Sequence, residues 1–129
     1  MIGPALVALL LSNTTIATLV TAARITPARF EQGAALPCLF YSTDNIRPLN
    51  CRAGRGIYTG TLEISILAKS YADVTALIWA IRQTLDGKTT TSAAISLTLE
   101  PGTERPDESL SDNSAYYKQL DFPVYVTPL

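Results

Sequence analysis

Residues 57–87 read IYTGTLEISILAKSYADVTALIWAIRQTLDG, and two periods lie end to end in them. From Ile57 to Lys69 the chain alternates. Leu62, Ile64, Ile66 and Ala68 face one way, Thr61, Glu63, Ser65 and Lys69 the other, with Leu67 the one exception on the polar side. A period of two marks a half-buried strand. From Ser70 or Tyr71 the period lengthens. At 100° per residue, Val74, Leu77, Ile78, Ile81 and Leu85 form one stripe, and the helix runs to Asp86 and stops at Gly87. That stripe needs a sheet to lie on. Trp79 falls about 100° from Ile78 on the wheel, on a face made otherwise of Ala72, Ala76 and Gln83.

Upstream, Pro4 suits the first turn of a short helix, Ser12-Asn13 breaks it, and a second helical turn reaches about Val20. Arg24 to Ala28 suits a strand, followed by the loop Glu31-Gln32-Gly33. Leu36 to Thr43 is a strand opened by Pro37, and Asp44 to Gly56 reads as a long connection of turn formers. Downstream, Ile95, Leu97 and Leu99 alternate with Ser96, Thr98 and Glu100. Leu120, Phe122, Val124 and Val126 alternate with Gln119, Asp121, Pro123 and Tyr125. Pro123 cannot donate to a ladder, which predicts an edge position or a bulge for the last strand. Pro101 to Ser114 reads as a polar, acidic loop. The order α-β-β-β-α-β-β predicts an α+β fold: one antiparallel or mixed sheet of about five strands, with the N-terminal helix and a second helix packed on it. A length of 129 residues fits a single domain, 1–129.

The composition narrows the chemistry. With 47% hydrophobic and 16% charged residues the chain has the balance of a folding sequence with apolar surface to spare. A formal net charge of −1 argues against a dedicated nucleic-acid binder. There is no histidine, so the commonest general acid/base and the commonest metal ligand are missing. Cys38 and Cys51 fit no zinc spacing; the expectation is a reduced protein with one core thiol and one loop thiol. Glu104, Asp107, Glu108 and Asp112 lack the spacing and central glycine of a calcium loop. Gly54-Arg55-Gly56 is too short for a phosphate loop and leads into a strand. The expectation is no enzyme, no cofactor and no metal.

The apolar run Ala5–Leu11 is not expected to act as a secretory signal, since the first basic residue is Arg24, and it is too short to span a bilayer. Leu6, Val7, Leu9, Leu10 and Leu11 cover most of the helical wheel. A helix apolar all round is buried in a large core or shared between partners, and a small domain favours sharing. Leu6, Leu10 and Trp79 are therefore expected at a subunit interface, the alternative being a first helix that folds back and caps the sheet edge. Arg47, Arg52 and Arg55 gather in one connection, and Glu104, Asp107, Glu108 and Asp112 in another. The expectation is that the Arg loop of one subunit meets the acidic loop, with Asp107 and Glu108, of its neighbour.

Arg24-Ile25-Thr26-Pro27, Gln32-Gly33-Ala34-Ala35-Leu36-Pro37 and the apolar strand Cys38–Tyr41 resemble the opening of the tail-completion or tail-terminator proteins of long-tailed phages. Ile64 to Ser70, Tyr71-Ala72-Asp73-Val74 and Ile81-Arg82-Gln83-Thr84-Leu85-Asp86-Gly87 continue the likeness, and so does the closing Leu120, Phe122, Val124, Val126 pattern. Cys38 stands where a larger residue is expected, and the loops at 44–56 and 101–114 lie outside the likeness. The resemblance implies a hexameric homo-oligomeric ring of the virion, assembled in the host cytoplasm. Such a ring caps the tail tube protein and offers a head connector or neck protein a joining surface. No membrane is implied, and DNA passes through without being specifically bound. Two alternatives stay open: another phage neck or connector adaptor, and a small non-enzymatic protein-binding domain.

Overall fold

The strand-to-helix junction at residues 68–71 forms where the two periods meet. In the computed structural model, residues 3–20, 24–27, 37–48, 56–91, 95–106, 108–109 and 115–128 are described. Among these residues three helices are found: α1 (Gly3–Leu11), α2 (Thr14–Leu19) and α3 (Tyr71–Leu85). The break between α1 and α2 is a cap. Asn13 Oδ1 accepts from the N–H groups of Thr15 at 2.9 Å and Ile16 at 3.3 Å, satisfying donors that a helix start leaves orphaned. Its amide donates to Thr84 Oγ1 at 3.0 Å, so the same side chain fastens the turn to α3. Ser70 caps α3 through Ala72 N–H, and Gly87, at φ +68°, ends it in the left-handed region that other residues avoid.

The strands are β1 (Ile25–Pro27), β2 (Cys38–Pro48), β3 (Tyr58–Ala68), β4 (Thr89–Thr91), β5 (Ile95–Leu99), β6 (Thr103–Glu104), β7 (Glu108–Ser109) and β8 (Tyr116–Pro128). They form one sheet in the order β1-β2-β3-β8-β5-β4, with β6 and β7 also paired to β8. The β1–β2 pair is parallel and the others are antiparallel. The α+β class is as expected, but eight strands are found among the described residues where about five were expected. β2 runs on to Pro48, past the connection expected from Asp44, by bulging between Asp44 and Arg47 with Asn45 at φ 56°. The segment read as an acidic loop holds β6 and β7.

The last strand is not at an edge. β8 pairs along one side with β3, from Val126↔Tyr58 to Tyr116↔Ala68. Its other side is divided among β5, β6 and β7. Pro123 is tolerated because that second side changes partner at this point. Its carbonyl accepts from Glu100 N–H at 2.9 Å, and the N and C=O of one strand residue point to the same edge. The missing N–H therefore faces the gap between β5 and β6.

Cross-strand register sorts the side chains. Leu62, Ile64 and Ile66 of β3 share a face with Leu39 of β2 and with Leu120, Phe122, Val124 and Val126 of β8, and all are buried under the helices. Each such side chain contributes about 1.5–3 kcal/mol by leaving water. The opposite face is largely polar: Ser42 Oγ donates to Glu63, and Ser65, Tyr117, Gln119, Asp121 and Arg105 form a hydrogen-bonded chain across β3 and β8.

The helix shared between subunits is corrected here. α1 packs against α2 and α3, and the relative exposures of Leu6 and Leu10 are 0% and 1% within their own chain. The core cluster also includes Ile16 and Val20 from the α2 segment. Two short helices joined by a cap can layer beside α3, so even a small sheet surrounds one side of α1. Val7, Leu9 and Leu11 remain half-buried, while Pro4 and Ala8 are exposed. Cys38 is a buried free thiol, pushed up from its ordinary pKa by burial, and Cys51 lies outside the described residues.

Candidate functional site

Along α3 and its C-cap, residues 71, 75, 82 and 86 with either 78 or 79 between them are spaced by three or four, which places them on one flank of the helix. This flank does not touch the core squarely. It leans over the sheet corner where β6 meets β8 and leaves a groove of about 560 Å³. Tyr71, Thr75, Ile78 and Trp79 line its helical wall, with Arg82 and Asp86 at the far end and Glu104 and Lys118 across from them.

The far end is a lattice of charge. Arg82 donates Nη1 to Glu104 Oε2 at 2.8 Å, Nε to Asp86 Oδ2 at 3.2 Å and Nη2 to the Gly102 carbonyl at 2.9 Å. Lys118 Nζ lies 3.6 Å from Glu104 Oε1. The register puts Lys118 opposite Ile66 on the covered face of the sheet, which is why it is buried. A buried ammonium must keep a counter-charge. The side chain of Lys118 is 9% exposed and that of Glu104 is 37%, so the pair turns its carboxylate outward.

The near end is aromatic. Tyr71 and Tyr116 pack with ring centroids 5.7 Å apart at 47°. Among the described residues the exposed large apolar side chains are Trp79 at 65%, Tyr71 at 45%, and Tyr116 and Ile57 at 42% each. Three of these four gather at the groove, an unusual concentration on a surface where single apolar residues are ordinary.

Of the residues expected at an interface, Trp79 stands on the groove rim and Arg47 is exposed near the end of β2. Arg47 Nη1 donates to the Asn45 carbonyl at 3.4 Å. Leu6 and Leu10 belong to the core. Arg52, Arg55 and Asp107 lie outside the described residues, and Glu108 is placed by its backbone opposite Tyr117. Trp79 stands on the outer face expected for it, with Ala72 and Gln83 exposed and Ala76 half-buried, and it also borders the groove flank with Thr75, Ile78 and Arg82. That flank was legible as a second three-and-four stripe on the same helix. Tyr116, Lys118 and Glu104 carried no such signal, because β8 and β6 reach α3 only through sheet pairing.

Among the described residues no three metal-ligating side chains cluster, and no helix is long and apolar enough to cross a membrane. The groove offers aromatic area beside fixed charges, which is the chemistry of a protein-docking surface.

A sequence profile of the family described as tail completion protein gp17 matches residues 4–117. No functionally curated protein matches the chain significantly. Among solved structures, a chain from the virion of a native gene transfer agent particle has a similar fold. Its TM-score is 0.59 at 15% sequence identity, over 98% of this chain and 97% of that one.

Proposed function

This chain belongs to the tail completion protein gp17 family, and on that premise we propose that it is a structural protein of a phage-like tail, acting as an oligomeric cap. Copies assemble into a ring, hexameric by the family resemblance. The ring binds the last layer of tail tube protein, ends its growth and offers a head connector a surface. It works by shape and contact, without turnover, cofactor or metal. Assembly takes place in the host cytoplasm, and the finished ring stays in the virion at the head–tail junction.

The observation that carries this reading is the family match over residues 4–117. The aromatic groove on α3 supports it, since exposed Trp and Tyr beside fixed charges suit the centre of an interface. The net charge of −1 suits a ring through which DNA passes, because phosphate attraction grows with each Lys or Arg engaged.

Native mass spectrometry and electron microscopy of the purified protein, alone and with tail tubes, test the proposal. The expected result is a closed ring seated at tube ends. A ring that binds the head connector and ignores tubes would instead mark a different neck protein. A monomer that binds neither would reject the cap.

A further inference from the structure

We propose that the Trp79 groove receives α1 of a second copy of this chain, laid in by its outer stripe, so that copies join head to tail. This rests on the oligomeric reading above and deepens it by naming the contact.

The stripe is Pro4, Val7, Ala8 and Leu11. Their spacing, i, i+3, i+4 and i+7, covers about 100° of the wheel and is the pattern by which a helix anchors in an apolar groove. Leu6 and Leu10 point the other way and stay in their own core. Pro4 and Ala8 are exposed, and Val7 and Leu11 are half-buried. A surface helix ordinarily turns charge to water on this side. This one has none to turn, since residues 1–23 include no Asp, Glu, Lys or Arg. Its cover is therefore a surface with no free charge.

The groove meets that requirement. Its four charged lining residues, Arg82, Asp86, Glu104 and Lys118, are two cations and two anions paired with one another. What remains for a partner is the wall of Tyr71, Thr75, Ile78 and Trp79, with Trp79 65% exposed and Tyr71 45%. A charged segment would lose its water there and find no counter-charge. An aliphatic helix face carries no such penalty. Aromatic area without free charge is the composition of an interface centre.

Position in the fold assigns stripe and groove to different copies. The Asn13 amide, at the α1–α2 junction, donates to Thr84 Oγ1 and the Ala80 carbonyl on α3. Ala80 stands nine residues after Tyr71, and Thr84 nine after Thr75, about 180° around the wheel. The α1–α2 layer and the groove thus lie on opposite flanks of α3, which separates them within one chain. Between copies, α1 of one fills the flank of α3 that the other's own helical layer leaves open. Contacts between two different patches are heterologous, and heterologous contacts generate rings when the rotation closes. A twofold contact of groove on groove would leave both stripes in water.

The test takes the full chain with a photoreactive benzophenone amino acid in place of Trp79, mixed as light and isotope-labelled copies and irradiated in the assembled state. The expected inter-copy cross-link joins position 79 to α1, within the tryptic peptide 1–24. Inter-copy cross-links from 79 to position 79, or to any other peptide, overturn the contact and leave the ring reading standing. In parallel, Ala8→Glu and Trp79→Glu are each expected to weaken assembly about tenfold or more with Tm unchanged, since both side chains are exposed. Mixed in equal amounts, they keep one live groove and one live stripe and should form a heterodimer. Variants that assemble like the parent chain overturn the proposal, and if either melts early the cross-link decides. A parent chain that is monomeric at every concentration and at tube ends overturns both it and the ring.

Discussion

Asp86 accepts the backbone N–H of Gly102 through Oδ1 at 2.9 Å, across a sequence separation of 16. Arg82, one turn earlier on α3, donates to the carbonyl of the same glycine at 2.9 Å. Two side chains of one helix therefore hold both backbone polar groups of a single turn residue, and that turn leads into β6. The groove keeps its shape through this clip, because Glu104 follows two residues later.

Asp86→Ala should leave the Gly102 N–H without its acceptor and cost about 1–3 kcal/mol. Gly102→Ala should cost a similar amount for a different reason. A Cβ there would lie 2.6 Å from Phe122 Cδ1 and Cε1, inside a packed core. Thermal unfolding of both variants checks this. A Tm unchanged in Asp86→Ala would mean that the clip adds nothing.

Leu10→Asp and Trp79→Ala should separate cleanly. Leu10 is buried, so a carboxylate there costs several kcal/mol or about as much as the whole fold can spare. Trp79 is 65% exposed, and its truncation should change stability by about 0.5 kcal/mol or less. Circular dichroism melts decide. A folded Leu10→Asp monomer would return that residue to the subunit interface.

Glu104→Ala should destabilise more than Arg105→Ala. Glu104 faces Lys118, whose side chain is 9% exposed, whereas the side chain of Arg105 is 56% exposed in its pair with Asp121. Removing a partner from a buried charge costs more than removing one from a screened surface pair. Urea midpoints for the two variants give the order directly.

The Cys38 thiol should resist alkylation in the native protein and react once the chain unfolds. Burial pushes its pKa up from 9.0, with the Arg24 charge opposing the shift, so less thiolate is present. The sign for stability follows. Below pH 9 the thiol is protonated in both states and its contribution is intact. As pH rises through the higher native pKa the unfolded chain has already released its proton, and that contribution is lost. Mass spectrometry after brief iodoacetamide treatment reads the first effect. Rapid native labelling of Cys38 would contradict its burial.

The sequence by itself determined what short-range periodicity can encode. The alternation of Leu62, Ile64 and Ile66 fixed β3 and its buried face. The stripe from Val74 to Leu85, with Ser70 before it and Gly87 after it, fixed α3 to within a residue, and Ser12-Asn13 marked the break between α1 and α2. These features follow from neighbours along the chain, where side-chain direction repeats with a known period. Tertiary structure alone decided the rest. Pro123 sits in an interior strand because the partners on one side of β8 change there, and β4, β6 and β7 are too short to leave a period of their own. Leu6 and Leu10 are core because α3 and α2 come to lie against α1. The groove exists because Glu104 and Lys118 reach Trp79's helix across the sheet. Such pairings join residues far apart in the chain, and their energy depends on which elements meet, a quantity no local window contains.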